Sequence, residues 1–163
     1  WRVTVLDTGL NTMTGGRIKR AQAHLGDAPF MVTYGDGVCD VDLKSLLKFH
    51  QSKKAVATLT AIQPEARFGV INFSDSDQVL QFAEKPKGEG SWISGGFFVC
   101  EPEIFKYLEN DETIFERAPL EMLAEQGKLF AYRHDGFWKC MDTLRDKQQL
   151  QALWDQGEAP WLA

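Results

Sequence analysis

The chain has 163 residues, 44% hydrophobic and 25% charged, a balance that suits one globular domain and excludes a disordered one. Its formal net charge of −5 argues against nucleic acid as a partner, although an acidic protein can still hold a small anion in a basic pocket. No stretch is apolar enough to span a bilayer, and three cysteines without a C-x-x-C pair point to reduced thiols in the cytoplasm.

The chain opens on Trp1 and runs directly into the alternating, β-branched Arg2–Asp7, which predicts a strand. Such an opening is expected of an excerpt from a longer polypeptide, with part of the fold and of any site outside residues 1–163. Thr14 is placed to cap a helix that carries Ile18, Ala21 and Leu25 on one face and stops at Gly26. Phe30–Tyr34 is a continuous apolar run, the pattern of a strand buried on both faces. Asp42 is a credible cap for a second helix, with Leu43, Leu46, Leu47 and His50 on its inner face. Ala55–Ile62 follows as a third strand. Strands and helices alternating at these spacings predict an α/β fold with a mixed, mostly parallel sheet.

Beyond this point the pattern changes. "FGVINF" and "VLQFAEKP" flank the turn-rich "SDSDQ" and predict an antiparallel hairpin. "WISGGFFVCEP" is a strand that ends at Pro102, where a short helix over Glu103–Glu109 begins. A further helix is expected over Pro119–Gln126, then two short strands in "LFAYRHDG" and "FWKCMD". Thr143 and Asp146 form a capping box for a last helix whose inner face carries Leu150, Leu153 and Trp154.

Ligands of parallel α/β sheets sit beyond the carboxyl ends of the strands. Asp36, between Gly35 and Gly37, and Asp142 each follow a predicted strand, and two carboxylates aimed at one crevice suit Mg²⁺. Either could instead serve a turn or a cap. An EF-hand starting at Asp36 is excluded, because Val38, Val41 and Leu47 hold positions that need Asp, Gly and Glu. Asp40-Val41-Asp42 spells the D-x-D of many glycosyltransferases, which is the alternative reading. In "FAEKPKGEGSWISGG", Lys85 could meet a phosphate and Glu84 sugar hydroxyls, or the two could form a solvated surface pair. Gly95 and Gly96 imply close approach by a ligand or another part of the chain. In "MTGGRIKR", the amides of Gly15 and Gly16 with Arg17 offer an anion site, or an ordinary helix start. Cys39 and Cys140 lie near the two carboxylates, but no Cys/His cluster appears at ligand spacing, so no zinc centre is expected.

The segments "YGDGVCDVD", "ARFGVINF", "FAEKPKGEGSWISGGFFV" and "GFWKCMDTLRDKQQLQALWDQGEAPW" resemble the sugar-phosphate nucleotidyltransferases, in particular their glucose-1-phosphate cytidylyltransferase branch. The resemblance implies a Rossmann-like nucleotidyltransferase fold. It also implies CTP and glucose 1-phosphate as substrates, CDP-glucose as a product for O-antigen type polysaccharides, and assembly as a homo-oligomer. By the same resemblance Asp36 and Asp142 are metal ligands, Glu84 and Lys85 the sugar-phosphate motif, Gly95 and Gly96 the hexose lining, and Gly15, Gly16 and Arg17 the cytosine side. The family's G-G-x-G-T-R-L loop and Pro-Lys-Pro segment do not occur in this sequence, and Ser94 replaces an Asn. The resemblance therefore implies that residues 1–163 are the C-terminal portion of a longer single domain, which carries sugar and metal residues and does not turn over by itself, or a non-catalytic remnant that binds a sugar nucleotide.

Overall fold

The computed structural model describes residues 1–64, 70–76, 78–83 and 92–162. In chain order the elements are α1 (Thr14–Leu25), β1 (Phe30–Thr33), β2 (Gly37–Cys39), α2 (Leu43–Lys53), β3 (Ala57–Ile62), β4 (Val70–Phe73) and β5 (Val79–Ala83). They continue with β6 (Ile93–Cys100), a 3-10 helix at Pro102–Tyr107, α3 (Ala118–Glu125), β7 (Leu129–His134), β8 (Trp138–Cys140), α4 (Leu144–Asp155) and a last 3-10 turn at Pro160–Leu162. Four strands form a sheet in the order β1-β6-β3-β7, while β2 with β8 and β4 with β5 form two-stranded sheets.

The sheet departs from the expected run of parallel neighbours. β6 lies between β1 and β3 and pairs antiparallel with β1, from Phe30 opposite Cys100 to Thr33 opposite Phe97. β1 is the edge strand of the described sheet, and its two faces differ: Phe30 is buried whereas Met31 and Thr33 on the other face are exposed, so the expected two-sided burial fails there. It holds instead for β3, which has a neighbour on each side and is buried at five of its six positions. Arg2–Asp7 is not a strand either. Alternation supplies the faces of a strand, but its backbone groups need a ladder, and no described strand pairs with this segment. The segment after Pro102 winds as a 3-10 helix rather than an α-helix.

The chain divides into two compact units. The first comprises Trp1–Thr33, Leu43–Leu59 and Phe97–Tyr132. Its core joins Leu46 of α2 with Val56, Phe98, Val99, Ile104, Phe115 and Leu123, all nearly inaccessible to water. The Phe98 and Phe115 rings meet edge to face with centroids 5.2 Å apart. Burial of each such side chain contributes roughly 1.5–3 kcal/mol. His50, on the predicted inner face of α2, is completely buried, and its polarity is matched: Nδ1 lies 2.8 Å from Thr58 Oγ1 and Nε2 3.3 Å from Glu101 Oε1.

The second unit comprises Tyr34–Asp42, Thr60–Gly96 and Arg133–Ala163. The predicted hairpin is present, with Val70 opposite Ala83 and the turn closed by the Ser74 amide donating to the Gln78 carbonyl at 2.9 Å. α4 starts at the predicted capping box: Thr143 Oγ1 accepts from the Asp146 amide and Asp146 accepts from the Thr143 amide. Leu150 is buried as expected, whereas Trp154 is half exposed.

Candidate active site

Asp36 is the last of the three residues that join β1 to β2, and Asp142 follows β8. β2 and β8 pair antiparallel, with Gly37 opposite Cys140. The ladder extends one step further, because the Met141 amide donates to the Asp36 carbonyl at 2.8 Å. Asp36 and Asp142 therefore stand at the same end of one ladder, both exposed. Thr143 caps α4, so Asp142 is not spent as a cap. Asp142 Oδ2 instead accepts from Cys140 Sγ at 3.2 Å. Partial burial and this carboxylate both push the Cys140 thiol up, which keeps it protonated and unreactive.

Gly95 and Gly96 are tied to both carboxylate-bearing segments. The Trp138 indole N–H donates to the Gly95 carbonyl at 2.7 Å, and a Cβ on Gly95 would meet Trp138 Nε1 and the Thr60 carbonyl at 3.2 Å. Gly96 has φ of 78°, and a Cβ there would sit 2.7 Å from the Tyr34 ring. Its carbonyl accepts from the Tyr34 amide at 3.3 Å, and its own amide donates to Ser94 Oγ at 3.3 Å. Of the two close approaches open to these glycines, the structure contains the one made by the chain itself. Tyr34 leads into Asp36 and Trp138 leads toward Asp142, so the pair of aromatic contacts holds the two carboxylate segments beside the glycines. Nothing local in the sequence marks Tyr34 for this role.

Gly15, Gly16 and Arg17 belong to the first unit. The amides expected to face an anion are already engaged: Gly15 and Gly16 both donate to the Thr113 carbonyl, at 2.9 and 3.3 Å. A Cβ on either residue would come within 2.8 Å of Thr113 or Asp111. These glycines therefore let the start of α1 pack against residues 111–113. Thr14 is the first helical residue rather than the cap, and its hydroxyl donates to Glu116 at 2.7 Å and accepts from the Phe115 amide at 2.9 Å. Arg17 is exposed, with its guanidinium donating to Thr8 Oγ1 at 2.6 Å and to the Leu10 carbonyl at 3.3 Å. Glu84 and Lys85 lie outside the described residues.

One cluster escaped the sequence reading. His134 Nε2 lies 2.8 Å from Asp40 Oδ1, and Cys39 completes a group whose ligand atoms all fall within 4.8 Å of one another. The Asp40 carboxylate is thereby engaged by His134 and Val41 is buried, which removes support from the D-x-D reading. Cys100 is of another kind: burial pushes its thiol up to about 12, and it is inert core.

A family model described as nucleotidyl transferase matches residues 7–154. The glucose-1-phosphate cytidylyltransferases of Salmonella typhi and Salmonella typhimurium are each 50% identical to this chain over 162 residues, which is 99% of this chain and 63% of the relative. The chain thus spans less than two thirds of the length of these curated relatives. Among solved structures, UDP-glucose pyrophosphorylase complexed with UDP-glucose superposes with a TM-score of 0.65 at 17% identity, covering 92% of this chain and 64% of that one. This likeness shows the fold: a nucleotidyltransferase α/β architecture with a mixed sheet.

Proposed function

Because the chain belongs to the nucleotidyl transferase family, we propose that the whole protein transfers the cytidylyl group of CTP to α-D-glucose 1-phosphate, giving CDP-glucose and pyrophosphate. The choice of CTP and glucose 1-phosphate rests on the identity to the Salmonella cytidylyltransferases. The observation that carries the chemistry is the Met141–Asp36 hydrogen bond, which sets two carboxylates at one ladder end.

In this reading a sugar-phosphate oxygen attacks the α-phosphorus of CTP in line. The new P–O bond forms as the bond to the bridging oxygen of the β-phosphate breaks, and pyrophosphate departs. Asp36 and Asp142 offer only hard oxygen donors, which fits a small divalent cation, Mg²⁺ by preference. When bound, such a cation neutralises phosphate charge as it builds up in the transition state. Lys85 orients the sugar phosphate as a point charge, and Glu84 accepts from hexose hydroxyls. Gly95 and Gly96 line the hexose. Positioning supplies much of the rate, since holding both phosphates in line converts an encounter into an intramolecular step.

The test is pyrophosphate release from CTP and glucose 1-phosphate with Mg²⁺. It compares the 163-residue chain with the same chain fused behind an N-terminal segment from a family member. Turnover in the fusion with CDP-glucose as product supports the reading. A folded fusion that binds CTP without turnover overturns it and favours a binding remnant.

A further inference from the structure

We propose that Cys39, Asp40 and His134 form a binding site for a borderline-soft divalent cation, Zn²⁺ in particular, at the end of the β2/β8 ladder opposite Asp36 and Asp142. Three different donor types converge there: a thiol sulfur, a carboxylate oxygen and an imidazole nitrogen, all within 4.8 Å of one another. Tetrahedral zinc with bonds of about 2.0–2.3 Å holds its ligand atoms roughly 3.3–3.6 Å apart. The Asp40–His134 edge, at 2.8 Å, is already inside that spacing. Side-chain rotation of Cys39 can close the remaining gap.

The surroundings form a cradle. A Cβ on Gly136 would lie 2.6 Å from His134 Cε1 and closer still to Asp40 Oδ1, so any other residue there would push the Asp40 and His134 side chains out of this arrangement. The Asp40 amide donates to the Phe137 carbonyl at 3.2 Å, which closes the same end of the ladder through the backbone. His134 is about nine-tenths buried, with only 11% of its side chain exposed. A lone surface ion pair requires neither this burial nor a neighbouring thiol.

The donor set selects the metal. A thiolate and an imidazole are poor partners for Mg²⁺, which prefers oxygen and keeps its waters. Zn²⁺ accepts all three donors, and one thiolate with one carboxylate balances its charge. Three protein ligands leave a fourth position for water. A cation here would fasten the end of β2 to the last residue of β7. That would brace the ladder whose other end, four residues away and about 13 Å along an extended chain, carries Asp36. The proposal stands apart from the nucleotidyl transfer itself.

The 163-residue chain is incubated with Zn²⁺, freed of loosely held metal and assayed by elemental analysis, with a parallel sample loaded with Co²⁺. The expected result is retained zinc near one equivalent per chain, a thiolate-to-cobalt charge-transfer band, and a thermal midpoint that rises with Zn²⁺. All three should be lost in Cys39→Ser and in His134→Asn and kept in Cys140→Ser, with near-ultraviolet circular dichroism confirming the fold of each variant. Should His134→Asn fail to fold, Cys39→Ser, which removes no ion pair, still decides. Absence of retained zinc in the parent chain, or retention undiminished in folded Cys39→Ser, overturns the site.

Discussion

Asp36 and Gly96 show how differently single residues can matter in one unit. Asp36 is an exposed carboxylate with its carbonyl fixed by Met141, so its substitution should affect chemistry rather than folding. In the active fusion, Asp36→Asn is expected to lower turnover by about 10²–10³-fold, as loss of one electrostatic group commonly does, with the melting temperature unchanged. Gly96 is the reverse case. Its positive φ and its contact with Tyr34 predict that Gly96→Ala costs about 1–3 kcal/mol in urea unfolding. Thr60 offers a third kind of residue: its hydroxyl is buried and has no hydrogen-bond partner among the described residues. Thr60→Val should therefore be neutral or more stable by about 1 kcal/mol, measured in the same way, because an unmade buried hydrogen bond is removed. A clear loss of stability would show that the hydroxyl has a partner.

The helix α4 is the element whose start is best defined. Thr143 and Asp146 each satisfy an amide of the other, and Thr143→Ala should cost about 1 kcal/mol. The Asp146 carboxyl lies below its ordinary range, held there first by the Thr143 hydroxyl and then by Lys139. A carboxyl lowered in the folded state contributes stability that is present above its unfolded pKa and lost as pH falls through its folded value. With an unfolded value of about 3.9, thermal melts from pH 7 downward should show wild type more stable than Asp146→Asn near neutrality. That advantage should shrink below about pH 4, and an advantage independent of pH would contradict the pairing. β1 shows the opposite dependence. Its four residues were legible as a strand, but its place at an edge was not, because β6, about 60 positions later, takes the position beside it.

At the scale of the molecule, stability is unevenly distributed. The side chains of Phe98, Phe115, Ile104 and Leu123 are inaccessible to water, whereas Trp1, Val3 and Val5 of the opening segment are largely exposed. Amide hydrogen exchange should therefore be slowest in β3 and in the Phe97–Cys100 half of β6 and fast over residues 2–9. Protection of residues 2–9 equal to that of β3 would contradict the described ladder. The family assignment was also legible at this scale, since its motifs are contiguous strings that survive without knowledge of the fold.

What the sequence determined by itself was whatever depends on neighbours in the chain. The capping box of α4, the stop of α1 at Gly26, the β4–β5 hairpin and the strand ends that carry Asp36 and Asp142 all follow from local backbone preferences and periodicity. What only the tertiary structure decided was whatever depends on partners distant along the chain. The strand expected at residues 2–7 has no ladder among the described strands, and the amides of Gly15 and Gly16 are taken by Thr113. Tyr34 and Trp138 close on Gly96 and Gly95, and Cys39 and Asp40 meet His134 across more than ninety positions. A hydrogen-bond donor, a ligand atom or a missing Cβ acquires its role from what lies against it, and that is set by packing.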